Sequence, residues 1–139
     1  MPKGPPLTIA PEKVAYIILL AKAFDAKDVL TDPGDSSDGA DDHMIRVLEE
    51  HSDDAVGQIL ADYIDELSVD EQIDLVALAW LGRQGNEASD WPSLHAQARR
   101  AHRQPTSPYL LGSPLLGDEL SEGLSILGYQ PEELESDLP

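Results

Sequence analysis

VDEQIDLVALAWLGR, residues 69–83, carries the densest pattern in the chain and decides how the rest is read. Ser68 stands just before it and Glu71 three residues later, the S-x-x-E spacing of a capping box. Asp70 and Glu71 then fall in a first helical turn, where the helix dipole favours negative charge. Ile73, Val76, Ala77, Trp80 and Leu81 follow at helical spacing and form one apolar face. Gly82 or Gly85 ends the run. The stretch therefore reads as a central core helix. Asp70 and Asp74 lie one turn apart on one face. Paired carboxylates of this kind can separate their pKa values for acid/base work, or join other ligands around a divalent cation. No base or nucleophile accompanies them, and a helix start favours acids anyway, so a structural role is the preferred reading. An acid/base hydrolytic enzyme centred on Asp70, Glu71 and Asp74 stays as a remote alternative.

Outward from this helix, almost every segment has helical period, and none has the strict alternation of a half-buried strand. Pro11 suits the first turn of a helix. Val14, Ile17, Ile18, Ala21 and Phe24 continue it as one stripe, although Ala10 supplies no capping oxygen and Thr8 is the nearest hydroxyl. A helix resumes over HMIRVLEE (43–50), and Ser52 is an N-cap for another with Val56, Ile59, Leu60, Tyr63, Ile64 and Leu67 inward; the two are either separate or one kinked helix. Asp90 is placed to cap a helix carrying Trp91, Leu94, Ala98 and Ala101. TSPYLLG (106–112) reads as one short turn. Ser113 and Pro114 are placed to open a last main helix, with Leu116, Leu120, Gly123 and Leu127 on one face and Gly128 as its stop. Gly123 in that apolar stripe marks a place where another helix can approach closely. The expected fold is all-α: a compact single-domain bundle of five to six helices in orthogonal or irregular packing. Its expected parts are a flexible N-terminal arm at 1–7, a helical domain over 8–129 and a short or frayed tail at 130–139.

Bulk composition narrows the function. The chain has 139 residues, 41% of them apolar. That length fits one domain able to bury roughly two thirds of its unfolded surface. It has no cysteine, which removes disulfides, thiol catalysis and thiolate metal sites. The N-terminal MPKGPPLTIAPEK lacks the pattern of a signal peptide. The longest apolar run, VAYIILLA (14–21), is far short of the ~20 residues that span a bilayer, so a cytoplasmic protein is expected. The net charge of −18 repels phosphate backbones and anionic membrane surfaces, so neither direct nucleic-acid binding nor membrane binding is expected. The charge is uneven. Residues 25–74 hold 17 acids against Lys27 and Arg46, whereas residues 83–103 hold four arginines against Glu87 and Asp90. Such asymmetry implies an internal electrostatic match or two faces with different partners.

Several constellations have residue types that can carry chemistry. In TDPGDSSDGADD (31–42), Asp32, Asp35, Asp38 and Asp41 recur every third residue. An EF-hand requires D-x-[DN]-x-[DN]-G and a twelfth-position Glu; with Gly39 as the glycine, Gly34 comes first and Ile45 twelfth. A solvated loop is the preferred reading, and a weak divalent-ion site on those four aspartates the alternative. GDSSDG (34–39) has Asp38 where a nucleophile elbow has its second glycine, and no strand precedes it. His95 and His102, about two turns apart, are too distant on one helix to chelate one ion. His95, Arg99, His102 and Arg103 do share a helix face. They suit an anion or a docking partner, or else pair with the chain's own acids or with water.

The blocks LTIAPEKV (7–14), FDAKDV (24–29), VDEQIDLVALAWLGR (69–83) and AHRQPTSPYLLGSPLLGDELSEGLSILGY (101–129) together resemble a bacterial family catalogued as domain of unknown function 3775. In that pattern a Ser is expected where Ala10 stands and an aromatic where Glu119 stands. The resemblance implies a compact bacterial domain and no activity, cofactor or catalytic residue. The expected function is accordingly a non-catalytic interaction or regulatory module that needs no cofactor and takes an unidentified protein partner or a second copy of itself. Its expected docking residues are Trp80, Arg83, Trp91, His95, Arg99, His102, Arg103 and Tyr109. A divalent-ion or small-ligand sensor is the alternative.

Overall fold

The computed structural model of the chain describes residues 7–29, 53–103 and 105–136. The described residues form seven helices and no strand: α1 (Pro11–Val29), α2 (Asp53–Asp65), α3 (Val69–Leu81), α4 (Trp91–Ala101), α5 (Ser107–Leu111), α6 (Leu116–Ile126) and α7 (Pro131–Ser136), with a single 3-10 turn (Ala88–Asp90) before α4. The fold is all-α. Helix α1 packs on α2, α6 and α7; α3 packs between α4 and α6; and α5 rests on α2.

Helix α1 is not the one-stripe helix its spacing suggests. Val14, Ala15, Ile17, Ile18, Leu19, Leu20, Ala21 and Ala23 are all buried, so apolar residues occupy most of its circumference. A helix apolar all round is one with neighbours all round, and α1 has three. The same holds for α3, where every residue from Gln72 to Ala79 is buried, and Leu81 after them. Together α1 and α3 supply much of the core, which Leu60, Ile64, Leu110, Leu116, Leu120, Leu124 and Leu127 complete.

The start of α3 follows its sequence signature. The Ser68 Oγ accepts from the Glu71 N–H, and the Glu71 carboxylate accepts from the Ser68 N–H. Glu71 also accepts from Lys13 Nζ at 2.8 Å, which ties the start of α1 to the start of α3. Gly82 ends the helix. At this end α6 crosses so closely that a Cβ on Gly82 would collide with the Glu119 carbonyl oxygen, and one on Gly123 with that of Leu78. Two hydrogen atoms in place of side chains thus set the α3–α6 separation. Helix α6 stops in a Schellman motif: the Tyr129 N–H donates to the Leu124 carbonyl at 2.9 Å and the Gly128 N–H to that of Ser125 at 3.0 Å. Gly128 has φ of 98°, the left-handed backbone that lacks a steric penalty only in glycine.

Two caps differ from expectation. The Asp90 carboxylate accepts from the Glu87 N–H at 2.8 Å. It closes the preceding 3-10 turn and leaves α4 without a side-chain cap. Ser113 and Pro114 lie before α6, which starts at Leu116. The Ser113 hydroxyl instead donates to Glu119 at 3.0 Å. In both cases a nearer partner takes the oxygen that the spacing assigned to the helix.

Candidate functional site

Helices α3 and α4 lie against each other with their polar residues in register. Asp74 pairs with His95, where Oδ1 and Nε2 are 2.7 Å apart, and Asp70 pairs with Arg99 at 3.4 Å. A carboxylate pair four residues apart on one helix meets a histidine and an arginine four residues apart on the other. The two contacts differ in kind. Asp70 and Arg99 are more than half exposed, and such surface pairs contribute roughly 0–1 kcal/mol. Asp74 is buried, with only 2% of its surface accessible. The backbone N–H groups of Thr8 and Ile9 both donate to its Oδ2, the second over 3.1 Å. A buried carboxylate needs this many partners, because leaving it unpaired costs several kcal/mol. Asp74 thus joins the segment before α1, helix α3 and helix α4 at one point.

Two residues earlier, Gln72 plays a parallel part. Its Nε2 donates to the carbonyls of Ile64, in the last turn of α2, and Leu67, just beyond it, at 3.2 and 3.1 Å. Its Oε1 accepts from the Thr106 hydroxyl at 2.8 Å and lies 3.2 Å from His102 Nε2. The amide therefore faces donors on one side and acceptors on the other, which fixes its orientation. Because Oε1 can only accept, His102 carries its proton on Nε2. The three carboxylates considered for acid/base chemistry are all occupied: Asp70 with Arg99, Glu71 in the capping box and with Lys13, and Asp74 with three donors.

Beside this network, between α3, α4 and α5, lies a pocket of about 260 Å³. Val76, Ala98 and Ala101 supply its apolar surface; Trp80, Tyr109, His102, Arg103 and Thr106 complete the wall. Trp80 Nε1–H donates to the Tyr109 hydroxyl oxygen at 2.9 Å. Tyr109 is 53% exposed, and its hydroxyl also lies against the Arg83 guanidinium, which itself donates to Glu119 at 3.2 Å. Arg103 uses Nη1 on the carbonyls of Arg100 and His102. None of the lining residues is acidic, in a chain with 27 acidic residues.

Of the docking residues expected from sequence, Trp80, His102, Arg103 and Tyr109 line this pocket, with Arg83 against Tyr109. The others lie elsewhere. Trp91 is buried in the core with its ring 5.4 Å from that of His95, and His95 and Arg99 pair with Asp74 and Asp70. Gln72, Val76, Ala98, Ala101 and Thr106 were not singled out as site residues. Gln72 carries a signal, being a polar residue four before Val76 on the inward face; the small residues carry none. Among the described residues no group of three or more His, Asp or Glu is arranged to hold a metal ion. Asp32, Asp35, Asp38 and Asp41 lie outside the described residues. No described helix is long and apolar enough to cross a membrane.

No curated protein and no solved structure matches the chain. A family model matches residues 57–129, more than half the chain. That segment holds α3 to α6, the Asp74–His95 pair and every residue lining the pocket, while Thr8, Ile9 and α1 fall outside it. The chain belongs to the family described as "Protein of unknown function (DUF3775)".

Proposed function

We propose that the chain is a non-catalytic interaction module and that a partner protein docks at the Trp80–Tyr109 pocket. The observation that carries this reading is the pocket's composition. An apolar floor, two amphipathic aromatics and an arginine, with no carboxylate, lie within a strongly acidic chain. Aromatic residues and arginine dominate binding energy at protein interfaces, and Trp80, Tyr109 and Arg103 are of this kind. The size of the pocket favours a protein over a cofactor. About 260 Å³ falls below the roughly 300–1,000 Å³ of most small-molecule sites and suits one anchoring side chain. Arg103 in its wall and Arg83 against Tyr109 favour a partner surface of negative potential.

The test is affinity capture from the protein's own cells with the wild-type chain and with Ala101→Trp. Ala101 is exposed at the pocket wall, so the larger ring obstructs the pocket without entering the core. A partner held by the wild type and lost by Ala101→Trp supports the reading. A partner held equally by both places docking elsewhere. If nothing is captured while light scattering shows a dimer that Ala101→Trp dissociates, the partner is a second copy.

A further inference from the structure

The hydrogen-bond inventory of the pocket wall points to the chemistry of its occupant. The Tyr109 oxygen accepts from Trp80 Nε1. Indole N–H can only donate, so the phenol's own proton is not used in that bond. Arg103 uses Nη1 on two carbonyls; its Nη2 and Nε retain their donors. His102 has Nε2 engaged with Gln72 Oε1 at 3.2 Å and with the Thr106 hydroxyl at 3.3 Å. The polar part of the wall therefore offers donors, and no acidic residue among its lining competes for them. An apolar floor beside a set of donors complements an apolar group bonded to an anion.

We infer that the pocket captures the C-terminus of the partner protein: the last side chain, an apolar one, fills the floor, and the α-carboxylate is held by Arg103 and the Tyr109 hydroxyl. This rests on the docking reading above and gives it a chemistry. The choice of a chain terminus follows from the size of the pocket. It holds one side chain, so the anion must lie within a bond or two of the anchor's Cα. In an extended segment neighbouring side chains point to opposite faces, so an Asp or Glu next to the anchor would turn away from the donors. The terminal carboxylate is bonded to that Cα and cannot. Capture of chain termini by clustered donors is an established mode of peptide recognition. The charged or titratable groups at the wall are His102, Arg103 and Tyr109, with Arg83, itself paired with Glu119, against the Tyr109 hydroxyl.

The experiment titrates the full chain with acetylated pentapeptides ending in Leu, Ile, Met or Phe, each as free acid and as C-terminal amide. It follows the Trp80 indole N–H and the Thr106 amide by NMR. At least one free acid is expected to bind roughly tenfold or more tighter than its amide, a difference of one charge-assisted contact. That advantage is lost in Arg103→Gln, whose exposed position keeps the change out of the core. Equal binding of acid and amide overturns the inference, as does no binding of any peptide at millimolar concentration. Free 4-methylpentanoate binding as tightly as the Leu peptide also overturns it, because the site is then one for a small carboxylate. None of these three results touches the docking reading, which fails only if obstructing the pocket with Ala101→Trp leaves partner capture unchanged.

Discussion

Asp74 and His95 lie 2.7 Å apart on adjacent helices, and the same carboxylate accepts the backbone N–H groups of Thr8 and Ile9. One buried residue thus locks α4 and the segment before α1 onto α3. Asp74→Ala leaves two backbone donors, that of Ile9 buried, and an imidazole without their acceptor. A loss of about 3–5 kcal/mol is expected, against about 1 kcal/mol for His95→Ala, which leaves the two backbone bonds in place. Urea denaturation of both variants and of the double variant measures this. Additive effects would mean that the two residues are not coupled.

The α3–α6 crossing rests on Gly82 and Gly123, where an added Cβ meets backbone rather than a movable side chain. Gly123→Ala is expected to destabilise by about 1–3 kcal/mol, since the helices must separate and the core around Leu78 loosens. On an exposed helix the same change stabilises, so the sign alone tests the contact. Thermal unfolding reads it.

Glu71 links the Lys13 ammonium to the Ser68 cap. The hydrogen bond from Lys13, followed by that from the Ser68 N–H, holds its carboxyl below the ordinary value of 4.5. A folded-state pKa below the unfolded one means that the stabilisation is complete above about 4.5 and is lost as pH falls through the lower folded value. Lys13→Met removes the first of these causes. Denaturation midpoints followed from about pH 6 to about pH 3 should then fall less steeply than in the wild type; an unchanged acid limb contradicts the assignment.

Gln72 joins α2, α3 and the loop before α5 through four contacts. Gln72→Leu keeps much of the volume but leaves the Leu67 carbonyl without a partner, the Ile64 carbonyl with the Leu67 N–H alone, and Thr106 and His102 with only their 3.3 Å contact to each other. About 2–4 kcal/mol of destabilisation is expected, together with a shift of the Thr106 amide resonance. Thr106→Val, which removes one of the contacts, should cost about 1 kcal/mol.

The helices were legible wherever local chemistry acts alone. Ser68 and Glu71 mark the start of α3, Pro11 that of α1, and Gly128 the end of α6. The close approach at Gly123 could also be read, because a glycine within an apolar stripe has few other uses. The departures arise where a tertiary partner competes. Asp74 looked like one more acid near a helix start until the backbone of Thr8 and Ile9, more than sixty residues away in sequence, reached it. Asp90 and Ser113 had nearer partners than the helix ends they precede. The basic stripe divides for the same reason: α3 places Asp74 and Asp70 opposite His95 and Arg99 and leaves His102 and Arg103 at the pocket. The floor formed by Val76, Ala98 and Ala101 was not legible, since small apolar residues look alike whether they pack against a helix or line a pocket.

The most direct measurement of the docking account compares the affinity of the captured partner for the wild-type chain and for Ala101→Trp by titration calorimetry, with thermal unfolding of both run alongside. The account predicts at least about a tenfold weaker Kd with an unchanged Tm. An equal Kd at equal Tm would contradict it.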